Sequence, residues 1–128
     1  MRYAMLAIGL LLGSSSAALA GEEAMTNLFG NTVIATSQAG ELRVHYKPDH
    51  SFSGRAEGPM GKYDIRGTWK LDDKGNLCRT YSTTGNDLPP GLPNPYCAPL
   101  AAHNVGDTWT VVGQDGRTAE VKLVAGRH

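Results

Sequence analysis

The residues closest to a metal-binding pattern are His45, Asp49 and His50, with His103 or His128 as a further donor. A metal centre needs three or four such donors converging on one point. Here the spacing matches no zinc signature. His45 also alternates with Leu42, Val44 and Tyr46, which turns it outward from a sheet. Two surface histidines beside a turn aspartate account for the pattern, so no metal ligand is assigned. Ser37, Ser51, Ser53 and Ser82 are available nucleophiles, but none lies in a Gly-x-Ser-x-Gly elbow. Asp72 and Asp73 stand beside Lys74 in a turn, which suits solvent better than a cleft between facing carboxylates. Gly58-Pro59-Met60-Gly61 lacks the Lys and Ser/Thr of a phosphate-cradling loop. No catalytic residue and no cofactor is assigned, and the chain is expected not to be an enzyme.

Two features remain. Cys78 and Cys97 are the only cysteines. Their wide spacing, without a C-x-x-C, predicts a disulfide if the chain meets an oxidising compartment. The closed loop of about 20 residues is worth roughly 3 kcal/mol by the chain-entropy relation. Tyr63, Trp69, Tyr81, Tyr96 and Trp109 are candidates to line a small-ligand pocket, because Tyr and Trp join apolar area to one polar handle. Filling the core of a small barrel is the favoured reading of the same five.

The elements that would hold these residues begin with export. Arg2, the apolar run Ala4 to Leu12 and the exit Ala18-Leu19-Ala20 read as a secretory signal over Met1 to Ala20. The apolar run of about ten residues is half the length a bilayer span needs. A periplasmic or secreted location follows as an expectation. Residues 21–128 then form one domain of ordinary length. The whole chain balances 12 basic against 12 acidic residues. Nucleic-acid affinity rests largely on phosphate neutralisation, so a nucleic-acid partner is not expected. Nor is any membrane span expected after signal removal.

Glu22 to Phe29 is predicted to be a short helix, closed by Gly30-Asn31. After it the period falls from 3.6 to 2. Thr32 to Thr36 is β-branched. Leu42, Val44 and Tyr46 oppose Arg43, His45 and Lys47. Phe52 falls in a short polar strand that Gly54 is expected to weaken. Lys62 to Leu71 alternates cleanly, with Tyr63, Ile65, Gly67, Trp69 and Leu71 on one face. Leu77 to Ser82, Tyr96 to Leu100, Thr108 to Val112 and Thr118 to Val124 complete the set. Asp72 to Asn76 and Gln114 to Arg117 are turns. Thr83 to Pro95, with four prolines, is a long loop that the disulfide should hold at its base. Seven or eight short strands joined by Gly, Pro and Asp turns predict a mainly β fold, an antiparallel meander closing into a barrel or sandwich.

The order Leu28-Phe29-Gly30-Asn31-Thr32-Val33, Tyr46-Lys47-Pro48-Asp49, Gly54, Gly67-Thr68-Trp69, Leu77-Cys78 and Cys97 resembles small exported proteobacterial domains of unknown function. The resemblance covers roughly Met25 to Cys97. In that pattern a Gly commonly follows the Asp of the first hairpin, where this chain has His50. The resemblance implies the architecture and carries no assigned chemistry. At the level of fold alone the chain is also similar to lipocalin-like barrels and to periplasmic enzyme-inhibitor barrels. The function expected is an exported non-enzymatic binding or accessory domain, contacting a small molecule or an envelope protein through the barrel mouth or the loop Leu88 to Pro95. An inhibitor of a secreted or periplasmic hydrolase is the second reading. A metal-assisted enzyme using His45, Asp49 and His50 is the third.

Overall fold

The computed structural model describes residues 22–59, 61–82, 92–114 and 116–128. The expected signal sequence, Met60, Asp115 and residues 83–91 of the proline-rich loop lie outside the described residues. Eight strands follow one another in a meander: β1 (Thr32–Ser37), β2 (Gly40–Tyr46), β3 (Ser51–Gly58), β4 (Gly61–Leu71), β5 (Asn76–Tyr81), β6 (Tyr96–Pro99), β7 (Thr108–Val112) and β8 (Thr118–Val124). All pair antiparallel in one sheet, ordered β6-β5-β4-β3-β2-β1-β8-β7. The β1–β8 ladder, Val33 opposite Leu123, joins the first and last strands and rolls the sheet into a nearly closed barrel. One sheet rolled on itself excludes the sandwich.

Directly paired residues point to the same side of a sheet. Val44, Gly54, Ile65 and the residues in phase with them therefore face inward together. β4 shows the predicted alternation, with Ile65 and Trp69 buried inside and Lys62, Asp64, Arg66 and Lys70 exposed outside. β3 corrects the expectation of a short, weakened strand. It runs eight residues and pairs along its length on both sides. Gly54 is needed there because a Cβ on it would lie 1.8 Å from the carbonyl oxygen of Arg43. The missing side chain lets β2 and β3 close in.

The N-terminal segment is helical only over residues 22–26, then tightens into turns through Gly30. The N–H of Leu28 donates to the carbonyl of Met25, and that of Asn31 to Leu28. Those three-residue bonds wind the chain more tightly than an α-helix, and Met25 and Leu28 are buried as a result. The pair plugs one end of the barrel. Val44, Tyr46, Phe52, Ile65, Trp69, Tyr81 and Leu123 pack with it as the hydrophobic core.

Asn31-Thr32 is a junction. The Thr32 hydroxyl donates to the carbonyl of Gly126 and accepts from the N–H of His128. The Asn31 side-chain oxygen accepts from the N–H of Gly126. The tail is thereby tied to the start of β1.

Cys78 and Cys97 are paired across β5 and β6 and disulfide-bonded. This is compatible with an oxidising compartment. The remaining seam lies between β6 and β7, which share no ladder. Gln114 bridges it. Its side-chain oxygen accepts from the N–H of Cys97, and its side-chain nitrogen donates to the carbonyl of Pro95. One side-chain amide thus stands in for a strand's peptide group.

No helix among the described residues is long and apolar enough to cross a membrane.

Candidate functional site

The plug does not fill the barrel. A cavity of about 580 Å³ extends from Leu28 toward the turns at the opposite end, with an arm along the β6–β7 seam. Its walls are mostly apolar: Val33, Ala35, Leu42, Ala56, Leu77, Val111 and Val121 project from six strands. Small inward residues make the space. Ala35, Ala56, Ala98 and Ala119 stand where larger side chains would close it. A volume of this size lies in the range of small-ligand pockets.

The five candidate aromatics separate. Tyr63, Tyr96 and Trp109 are half-buried and border the cavity. Trp69 and Tyr81 lie in the packed core. The Trp69 indole N–H donates to the carbonyl of Lys47, and its ring meets Tyr46 edge-on at 6.5 Å. Tyr81 meets Phe52 edge-on at 5.4 Å. Trp109 is stacked at 3.5 Å on the ring of His103, which also borders the cavity.

The most unusual group in the wall is Arg79. Leu77, Arg79 and Tyr81 share the inward phase of β5, opposite Leu71, Trp69 and Gly67 of β4. Arg79 is half-buried and borders the cavity. Its Nε donates to the Tyr81 hydroxyl at 3.2 Å, and one terminal nitrogen donates to the Tyr46 hydroxyl at 2.9 Å. It lies 5.1 Å from the Tyr96 ring centre and 6.0 Å from that of Tyr81. Among the described residues no carboxylate pairs with it.

Burial works against the guanidinium's charge, but the oxygens of Tyr46 and Tyr81 outweigh it and hold the pKa above the ordinary arginine value. Burial raises the Tyr46 phenol above its usual range, opposed by Arg79. The group is therefore a permanent cation held between two phenol oxygens. Glu41 and Glu57, also in the cavity wall, are engaged elsewhere. Glu41 pairs with Arg43 at 2.5 Å and Glu57 with Lys62 at 3.5 Å.

His45, Asp49 and His50 do not assemble. No group of three His, Cys, Asp or Glu among the described residues is placed to hold a metal. His45 lies on the outer face of β2, in a depression of about 630 Å³ with Arg43, Arg55 and His128. It is half-buried there, and its Nε2 is enclosed without a hydrogen-bond partner among the described residues. Burial, then the charge of Arg127, lowers its pKa; a backbone hydrogen bond with His128 opposes them. Asp49 accepts from both the hydroxyl and the N–H of Ser51, and these bonds hold its carboxyl below the usual range. His50 stacks on Trp69 at 4.0 Å.

Sequence reasoning missed Arg79. The signal was present, since Arg79 occupies the same alternation phase as Leu77 and Tyr81. An arginine in an apolar phase must either carry its charge into the interior or break the strand. Comparison of the chain with family models, curated proteins and solved structures finds no match.

Proposed function

We propose that the protein is an exported, non-enzymatic binding protein that holds a small, largely apolar molecule inside its barrel. The observation that carries this is the cavity of about 580 Å³, walled by apolar side chains and entered past short turns. A core of this kind is normally packed to crystal-like density, and empty apolar space costs stability. The small inward residues Ala35, Ala56, Ala98 and Ala119 maintain that space from four strands. The signal-like Met1 to Ala20 and the disulfide support an envelope or extracellular setting.

Titration with the neutral fluorophore N-phenyl-1-naphthylamine tests the reading. Saturable 1:1 binding with a blue-shifted emission is expected, abolished in Ala35→Trp, whose indole would occupy the cavity. Circular dichroism establishes that this variant still folds. Absence of saturable binding by the wild-type protein would sink the proposal.

A further inference from the structure

We infer that the ligand is an amphipathic organic acid, with its carboxylate held by Arg79 between Tyr46 and Tyr81 and its apolar part in the cavity. This deepens the preceding reading and rests on it. Removing an arginine's charge from water is costly unless an anion and hydrogen bonds compensate. Other ion pairs of the barrel, Arg43–Glu41, Arg55–Asp64 and Lys62–Glu57, combine charges from residues on the strands' outer phase. Arg79 instead lies on the inward phase of its strand, and two phenols are its hydrogen-bond partners there.

Two of its five N–H donors are taken by Tyr81 and Tyr46. The remainder belong to the terminal nitrogens, and the planar guanidinium fork matches a carboxylate bidentately. Tyr96 and Trp69, directly opposite Arg79 on the two flanking strands, fix the height of the guanidinium in the barrel. The two phenol bonds fix its rotation. Such fixed donors bind an anion without first having to be ordered. A neutral apolar ligand would leave the cation facing hydrocarbon, whereas a dianion would bring a second charge for which the described wall offers no second unpaired cation. A monoanion with an apolar body satisfies both parts of the site.

The test is displacement of N-phenyl-1-naphthylamine by dodecanoate and by 1-dodecanol, which share a chain length and differ in charge. Dodecanoate should displace the probe at a concentration lower by about tenfold or more, the scale of a charge-assisted hydrogen bond in a dry site. Arg79→Met should bring acid and alcohol within roughly threefold of each other while probe affinity holds. Arg79→Lys, which keeps the charge without the fork, should retain part of the preference for the acid, which a purely structural arginine would not do. If Arg79→Met fails to fold, the wild-type comparison still decides. Equal displacement by acid and alcohol in the wild-type protein overturns the acid assignment and leaves the cavity reading standing. Failure of the probe itself to bind overturns both.

Discussion

His50 shows how one residue can be held against its own preference. It has a φ of 71°, in the left-handed region that L residues avoid. This is the position at which the resembling pattern commonly has Gly. His50 is retained by its neighbour: its ring stacks on Trp69, its Nδ1 lies 3.1 Å from the Trp69 carbonyl oxygen, and its own carbonyl accepts from the Trp69 N–H. His50→Ala keeps the backbone strain and loses the stack, so it should cost about 1–2 kcal/mol. His50→Gly loses the stack but relieves strain of similar size, and should stay within about 1 kcal/mol of the wild type. Urea denaturation of the two variants distinguishes these outcomes.

His45 makes a pH prediction. Its folded pKa lies below the ordinary 6.5, so the folded protein favours the neutral ring more than the unfolded chain does. Above about 6.5 neither state binds the proton and His45 contributes no slope. As pH falls below that value the unfolded chain takes up the proton first, so stability drops. His45→Gln should therefore show a smaller fall in urea midpoint between pH 7 and pH 5 than the wild type. An equal fall in both proteins would contradict the assignment. From sequence, His45 was placed correctly on the outer face. Its half-burial was not legible, because the tail that approaches it comes from nearly the far end of the chain. Arg79 was hidden for a different reason. Its phase is visible in the strand, but that no carboxylate among the described residues pairs with it can be known only once eight strands are placed around it.

At the level of elements, local pattern carried most of the architecture. Alternation in β4, β-branched residues in β1 and the turns at Asp72 and Gln114 are short-range signals, and each reports where its own segment turns. β3 was the exception. Propensity reads Gly54 as a weak point, whereas the closeness of β2 makes glycine a requirement. Gly54→Ala would push a methyl group into the Arg43 carbonyl. It should destabilise by at least about 3 kcal/mol, at the upper end of the overpacking range. Thermal melts monitored by near-ultraviolet circular dichroism would measure this. A loss below about 1 kcal/mol would show that β2 and β3 can separate easily. The Gln114 clamp was illegible for the same reason as Arg79: its partners, Pro95 and Cys97, are reached only through the folded seam.

For the molecule as a whole, stability and binding capacity draw on the same interior. The plug of Met25 and Leu28 with the core aromatics fills one end, and the cavity leaves the other unfilled. With part of its core absent, the barrel depends more heavily on the crosslink at its edge. Cys78→Ser should lower stability by about 3 kcal/mol, a fall of roughly 4–8 °C per kcal/mol for a chain this size. Scanning calorimetry of oxidised and variant protein tests it, and an unchanged melting temperature would mean that the crosslink is mechanically idle. Whether the barrel is filled or hollow was not decidable from composition. Aromatic residues serve either purpose, and only the placement of Ala35, Ala56, Ala98 and Ala119 around a common space separates the two.

The disulfide joins two adjacent strands and encloses every residue between Cys78 and Cys97 in a covalent ring. A protease that cuts once inside that ring leaves one molecule, not two. The pieces stay linked, β6 remains beside β5, and Tyr96 remains opposite Arg79. Nicked protein should therefore run as a single band on a non-reducing gel and as two bands after thiol treatment. It should also still compete for the fluorescent probe before that treatment. The crosslink would thus let the molecule outlast a single cut between its two cysteines.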